Sequence, residues 1–184
     1  MMIMTLGTAL HAHKSPATGH EALHLVGAWA FPPSGDSTNS TKMLAMAPRA
    51  RVLEAWRVVQ HVNAVHVPGD IVEAGVFRGG TMMVMAWSEM VAKPHFGRHR
   101  TLWLYDTFEG LPPPTTEDGD KVKRKWSAAK RLRPGDSDDK GGTASPYVDA
   151  DGVTRWCYGA ESEVRQNMNM TGYPSQHALR QRQG

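Results

Sequence analysis

Residues 70–81 read Asp70-Ile71-Val72-Glu73-Ala74-Gly75-Val76-Phe77-Arg78-Gly79-Gly80-Thr81. Asp70 to Val76 is a short β-rich run bounded by Pro68-Gly69 and by the glycines that follow, which is the pattern of a buried strand. From Thr81 to Val91 the chain is apolar almost all round, which predicts a buried helix. Strand, glycine turn and helix in that order open a parallel α/β sheet. Glycine at such a junction lets the backbone turn tightly and leaves room for a ligand against it. The helix N-terminus adds free N–H groups and a partial positive charge. The turn is therefore the first candidate binding site.

Working outward, Val52, Trp56, Val59 and Val62 form one stripe of an amphipathic helix over about 49 to 66, stopped by Pro68-Gly69. A second strand is predicted over Thr101 to Thr107, after the basic turn Gly97-Arg98-His99-Arg100. Three prolines in Phe108-Glu109-Gly110-Leu111-Pro112-Pro113-Pro114 forbid both helix and central strand, so a loop follows Asp106. A last helix is predicted over Glu161 to Met170, ended by Thr171-Gly172-Tyr173-Pro174.

The 184 residues carry 21 Lys+Arg against 18 Asp+Glu, and the single cysteine, Cys157, excludes a disulfide framework or a cysteine zinc site. No apolar run approaches the length of a membrane span, and the N-terminal MMIMTLGTALHAHK has no Lys or Arg ahead of its apolar stretch, as a signal peptide would. A soluble, cytoplasmic protein is expected. Residues 1–40, with His11, His13, His20, His24, Pro32-Pro33 and the polar run Ser34 to Ser40, read as a loosely attached leader. Its histidines lack acidic or cysteine partners at ligand spacing, so no metal is expected there. Residues 41–184 form the domain, with an exposed insertion over about 117–152, part helix and part mobile.

The turn excludes two ligand classes. A nicotinamide fingerprint starting at Gly75 would need glycine where Phe77 stands, and the Gly-Lys-Ser/Thr of a phosphate loop is absent. What remains is acid-x-Gly-x-x-x-Gly, from Glu73 through Gly75 to Gly79, with a second acid, Asp106, at the end of the next strand. Carboxylates at two adjacent strand ends face one crevice at the C-terminal edge of an open sheet. One can accept from a ribose diol and the other can face an ammonium, a pairing that fits S-adenosylmethionine. The same spacing also allows both acids to cap turns and the glycines to serve packing alone.

The stretches VPGDIVEAGVFRGGTMMVMA, LWLYDTFEGLPPPTTED and RWCYGAESEVRQNMNMTGYP resemble the macrocin O-methyltransferase family, S-adenosylmethionine-dependent sugar O-methyltransferases of natural-product pathways. The resemblance covers about residues 48 to 176. It implies an α/β class I S-adenosylmethionine methyltransferase fold, a Rossmann-like parallel sheet. It places the cofactor on Glu73, Ala74, Gly75, Gly79, Gly80 and Thr81, and on Asp106, Thr107 and Phe108. The implied reaction is attack of an acceptor hydroxyl, on a sugar or glycosylated natural product, on the sulfonium methyl, helped by Mg²⁺ and a general base. The family's metal-binding aspartates and base have no counterparts in this chain, so no catalytic or metal residue is assigned. Two strands of a larger sheet, an incomplete fold and a truncated, inactive fragment are the expectation. Such a sheet would leave Val72, Val76, Leu102 and Leu104 short of neighbours, and its open edges would drive association with another copy of the chain.

Met82, Met83, Met85 and Met90 read as core rather than as a soft-metal site, and Trp56, Trp103 and Tyr105 as packing. Phe108, beside Asp106, lies either against an adenine ring or in the core. Cys157 has no basic partner in sequence that would make it a nucleophile, and His61, His66, His95 and His99 lack partners at any informative spacing. A second reading rests on Lys121, Lys123, Arg124, Lys125, Lys130, Arg131 and Arg133, with Trp126 among them, as a nucleic-acid-binding module. Against it, Asp136, Asp138 and Asp139 follow at once and no recognition helix is present. A third reading is a non-catalytic remnant without a stable fold.

Overall fold

The computed structural model describes residues 17–19, 21–22, 44–92, 99–129, 147–148, 153–174 and 178–181. The elements in chain order are α1 (Arg49–Ala64), β1 (Ile71–Ala74), α2 (Gly80–Ala92), β2 (Leu102–Asp106), α3 (Asp120–Ala129), β3 (Tyr147–Val148), β4 (Thr154–Arg155), α4 (Glu161–Met170) and β5 (Ala178–Gln181). Strands β1, β2 and β5 form one parallel sheet in the order β1-β2-β5, and β3 pairs with β4 in a separate antiparallel ribbon.

Each main element follows from its residues. Pro48 sits in the extended region just before α1, where its fixed φ and missing N–H cost nothing. Val52, Trp56 and Val59 then point into the core, joined by Asn63, one position beyond the predicted stripe at Val62. They pack on α2, where Met82, Met83, Val84, Ala86 and Trp87 are all buried. Two polar ties fix the helix pair. Ser88 Oγ donates to the Trp56 carbonyl at 2.8 Å, and Gln60 Nε2 donates to the Ser88 carbonyl at 2.8 Å. The methionines are core, as expected, with Met85 and Met90 packed at its margin. Burying each such side chain contributes roughly 1.5–3 kcal/mol.

Glu73 pairs with Leu104 and Ala74 with Tyr105, so β1 and β2 end side by side. The Gly75 N–H donates to the Tyr105 carbonyl at 2.9 Å and carries the pairing into the glycine loop.

Four expectations are corrected. Among the described residues the sheet has three strands rather than two, because Ala178–Gln181 pairs in parallel with β2, Leu104 opposite Leu179. The four-residue Ala-Leu-Arg-Gln strand has almost no apolar pattern to announce it, and its pairing rests on main-chain hydrogen bonds. Val76, Leu102 and Leu104 are not short of neighbours: α2, α4 and the third strand leave them buried, and only Val72, at 62% exposure, stands open. The leader is not loose throughout, since Ala22 is fully buried in the core and Gly19 lies against the Trp56 ring. Tyr105 is not core packing but 42% exposed at the end of β2. Its strand neighbour Trp103 is partly buried and donates Nε1–H to Asp70 Oδ2 at 3.0 Å.

Within the predicted insertion, α3 is helical and turns Trp126 inward against Trp156, with ring centroids 6.3 Å apart. That removes the one aromatic ring the basic cluster offered for base stacking, and the nucleic-acid reading is not supported. Lys130, Arg131, Arg133, the acidic cluster and the four leader histidines lie outside the described residues.

Candidate cofactor cleft

A cleft of about 980 Å³ opens at the C-terminal ends of β1 and β2. Its floor is Glu73, Ala74, Gly75, Val76, Phe77 and Thr81, and β2 contributes Tyr105, Asp106 and Thr107. Ala45, Met46, Ala47, Arg51 and Ala55 supply one wall, and Gly110, Leu111, Pro112 and Cys157 complete the lining. This is where an open α/β sheet binds ligands, beyond the carboxyl ends of its strands.

Two carboxylates meet there in different states. Asp106 is a cap. Its Oδ2 accepts from the backbone N–H groups of Val76 at 2.7 Å and Phe77 at 3.1 Å, and its Oδ1 accepts from the Phe108 N–H at 3.0 Å. A weaker contact comes from the Thr107 hydroxyl, at 3.4 Å. The side chain thereby ties the glycine loop to the loop after β2, and the turn-capping role allowed by the sequence is realised at this residue.

Glu73 is only half satisfied. The Met82 N–H and the Thr81 hydroxyl hydrogen-bond its carboxyl group, at the N-terminus of α2. Its Oε2 is buried with no partner. Burial first, and the Asp106 charge second, push its pKa from 4.5 up to about 8, against the lowering effect of those two donors. At neutral pH Glu73 is therefore mostly protonated.

The backbone around the cleft is strained. Phe77, Phe108 and Cys157 all have φ between 53° and 55°, a region costly for residues with a side chain. Gly75, at φ +82°, has nothing within 4 Å of where a Cβ would stand, so the loop leaves open space against its main chain. Gly80 is needed for the opposite reason. A Cβ there would come within 2.6 Å of the Leu44 backbone, whose carbonyl accepts the Gly80 N–H at 2.9 Å. Gly80 thus fixes the 44–47 segment as a wall.

Of the residues singled out from sequence, Glu73, Ala74, Gly75, Thr81, Asp106 and Thr107 line the cleft. Gly79 and Gly80 are buried behind it, and Phe108 turns into the core, where it is 5% exposed. Sequence reasoning missed Met46, Arg51, Ala55, Tyr105, Leu111 and Cys157 as lining residues. Arg51 and Ala55, one helical turn apart, lie off the apolar stripe of α1, and that spacing was the available signal. Cys157 lines the cleft without becoming reactive: burial, then the Asp106 charge, push its thiol pKa up.

The fold is an α/β domain with a cleft at its strand ends. Residues 34–133 match the family model of macrocin-O-methyltransferase, and the chain belongs to that family. It is 40% identical over 73 residues to demethyldecarbamoylnovobiocin O-methyltransferase of Streptomyces niveus, covering 40% of this chain and 26% of that protein. Over 52 residues it is 40% identical to mycinamicin III 3''-O-methyltransferase of Micromonospora griseorubida, covering 28% of this chain and 19% of that one. Among solved structures, the O-methyltransferase NovP superposes with a TM-score of 0.53 at 22% identity, over 88% of this chain and 61% of that one, which establishes the shared fold. The matched stretches thus span about a quarter or less of the curated relatives. No described helix is long and apolar enough to cross a membrane.

Proposed function

We propose that the cleft binds S-adenosylmethionine and serves O-methyl transfer to a hydroxyl of a sugar or glycosylated natural product. The single observation that carries this reading is the buried, unpartnered Oε2 of Glu73 beside an open glycine backbone, at the end of the first strand of a macrocin-O-methyltransferase-family chain. The curated relatives take their names from demethyldecarbamoylnovobiocin and mycinamicin III, and a glycoside acceptor is carried over from them.

The residues present fit the cofactor. Glu73 faces a cation with an oxygen that has no other partner, and a ligand ammonium beside it favours its ionised form. Asp106 holds both loops in shape, and a ribose diol would displace the weak Thr107 hydroxyl contact rather than the backbone donors. Met46, Leu111 and Pro112 give the cleft an apolar rim. When bound, the cofactor supplies a methyl group on a positively charged sulfur. Mg²⁺ does not fit the described residues, among which no three His, Cys, Asp or Glu side chains form a group able to hold a metal. The single cysteine suits a reducing, cytoplasmic setting.

Calorimetric titration with S-adenosylhomocysteine tests the reading. Saturable one-to-one binding is expected, accompanied by a rise in Tm with ligand concentration. Absence of both would overturn it.

A further inference from the structure

Arg78 is the one charged side chain between Glu73 and Glu89, and it turns onto α4 rather than into the cleft that its neighbours Val76 and Phe77 line. Its Nε stands 2.9 Å from Glu163 Oε1, with the two side chains 17% and 32% exposed. One helical turn further along α4, Asn167 Nδ2 donates to the Arg78 carbonyl at 2.8 Å, and Asn167 is itself buried. The same region meets the turn at two more points. A Cβ at Gly79 would stand 3.4 Å from Val164 Cγ1, and one at Gly159, just before α4, would overlap the Phe77 carbonyl. The side chain and the carbonyl of one loop residue are thus both gripped by α4, while Asp106 grips the N–H groups of Val76 and Phe77 from the end of β2.

What α4 holds is a turn in an unfavourable conformation. Phe77, at φ 54°, and Gly79, at φ 88°, both lie in the left-handed region, and Phe77 has a side chain that resists it. Such a turn persists only where its surroundings over-determine it, and a loop carbonyl without a strand partner needs a donor. We propose that Arg78 is a positioning residue: anchored to Glu163 and Asn167, it holds the turn from Val76 to Gly79 in the shape that floors the cleft, and so sets ligand affinity without touching the ligand. This rests on the cofactor reading and adds to it a control exerted from α4, outside the cleft. The size of the effect follows from populations. If loss of the anchor leaves about one molecule in ten with the turn in place, apparent affinity falls about tenfold.

Wild type, Arg78→Met, Glu163→Gln and the double variant are titrated with S-adenosylhomocysteine well below the Tm of each, so that only folded protein is measured. Each single variant should lose about tenfold in affinity, and the double variant should lose no more than Arg78→Met alone, because both changes break one pair. Arg78→Lys keeps the charge and should recover part of the loss; it carries the test if Arg78→Met does not fold. Amide hydrogen exchange gives a second readout that needs no ligand. Exchange of the Phe77 N–H should speed up in Arg78→Met by a larger factor than that of the Leu104 N–H in β2. A lowered Tm with wild-type affinity would make the pair a structural tie and overturn the proposal, as would losses in the single variants that add up in the double. If wild type binds no S-adenosylhomocysteine, the cofactor reading fails; the anchor then stands or falls on exchange, and an unchanged Phe77 rate overturns it.

Discussion

Glu73 and Glu89 are two carboxylates withdrawn from solvent at opposite ends of the same helix, and their surroundings treat them in opposite ways. Glu89, 1% exposed, sits in a closed network at the end of α2 away from the cleft. The amide of Asn63 and the backbone N–H of Arg100 donate to it, and the Arg100 guanidinium lies 3.6 Å away. Arg100 in turn donates to Asn63 Oδ1 at 2.9 Å, to the Gly69 carbonyl at 2.7 Å and to the Val67 carbonyl at 2.6 Å. The Tyr173 hydroxyl closes the network on the Arg100 carbonyl at 2.8 Å. Among the described residues Glu73 has no cation beside it, one oxygen without a partner and a second carboxylate as neighbour. A buried charge that is fully satisfied locks α1, α2 and β2 together. One left short of partners is where the proposed ligand would complete the structure.

The sharpest way to break this comparison is at the closed end. Arg100→Met would strand the buried Glu89 without its cation, a change that costs about 3–5 kcal/mol. In urea unfolding this loss should exceed those produced by substitutions at Asp106 and Gly75. The double variant Arg100→Met/Glu89→Gln should recover a large part of it. A single variant as stable as wild type would mean that the network contributes little.

At the open end the effect depends on pH. Glu73 titrates near 4.5 when unfolded and about 8 when folded, so between those values the native state holds a proton that the unfolded state has lost. Stability is then fully present below about pH 4.5 and falls as pH rises towards 8. Glu73→Gln removes the titrating group and should flatten this slope, making the variant more stable than wild type by a few kcal/mol at about pH 9 and close to it at about pH 5. Parallel Tm-against-pH curves for the two proteins would show that Glu73 is not the group responsible. The same variant should weaken S-adenosylhomocysteine binding, whereas Arg100→Met should leave affinity unchanged wherever it is folded.

Asp106 lies between these extremes because it serves both stability and site. Asp106→Ala leaves the N–H groups of Val76, Phe77 and Phe108 without their acceptor, at a cost of about 1–3 kcal/mol. Affinity for S-adenosylhomocysteine should fall by about one to two decades. Binding unchanged despite lowered stability would make Asp106 a cap alone.

The open end was legible in sequence and the closed end was not. Glu73, Gly75 and Asp106 announce themselves because strand, turn and helix signals are local and the acids stand at strand ends. The partners of Arg100 lie 11 to 73 residues away, in α1, the turn after it, α2 and the chain beyond α4, and no local pattern predicts that convergence. β5 escaped for a related reason, since a short polar edge strand is specified by the neighbour it pairs with. Met46 was invisible as a cleft residue because the wall it belongs to exists only once Gly80 lets residues 44–45 approach α2.

The smallest effect on stability is expected at Gly75, and it separates a ligand cradle from a packing turn. With φ at +82° and nothing within 4 Å of the missing Cβ, Gly75→Ala meets conformational strain but no collision. Stability should fall by about 1 kcal/mol, the order of cost of the left-handed region for an alanine. The methyl group would stand in the cleft, where the loop otherwise offers bare backbone to a ligand. Binding of S-adenosylhomocysteine should therefore drop more than about tenfold, a loss out of proportion to the stability change. Gly80→Ala is the control, because its Cβ would meet the Leu44 backbone at 2.6 Å, and overpacking of that kind costs about 1–3 kcal/mol. A cradle predicts that Gly75→Ala hurts binding more than folding and that Gly80→Ala hurts folding at least as much as binding. If Gly75→Ala binds S-adenosylhomocysteine as tightly as wild type, the open space at that turn is not where the ligand lies.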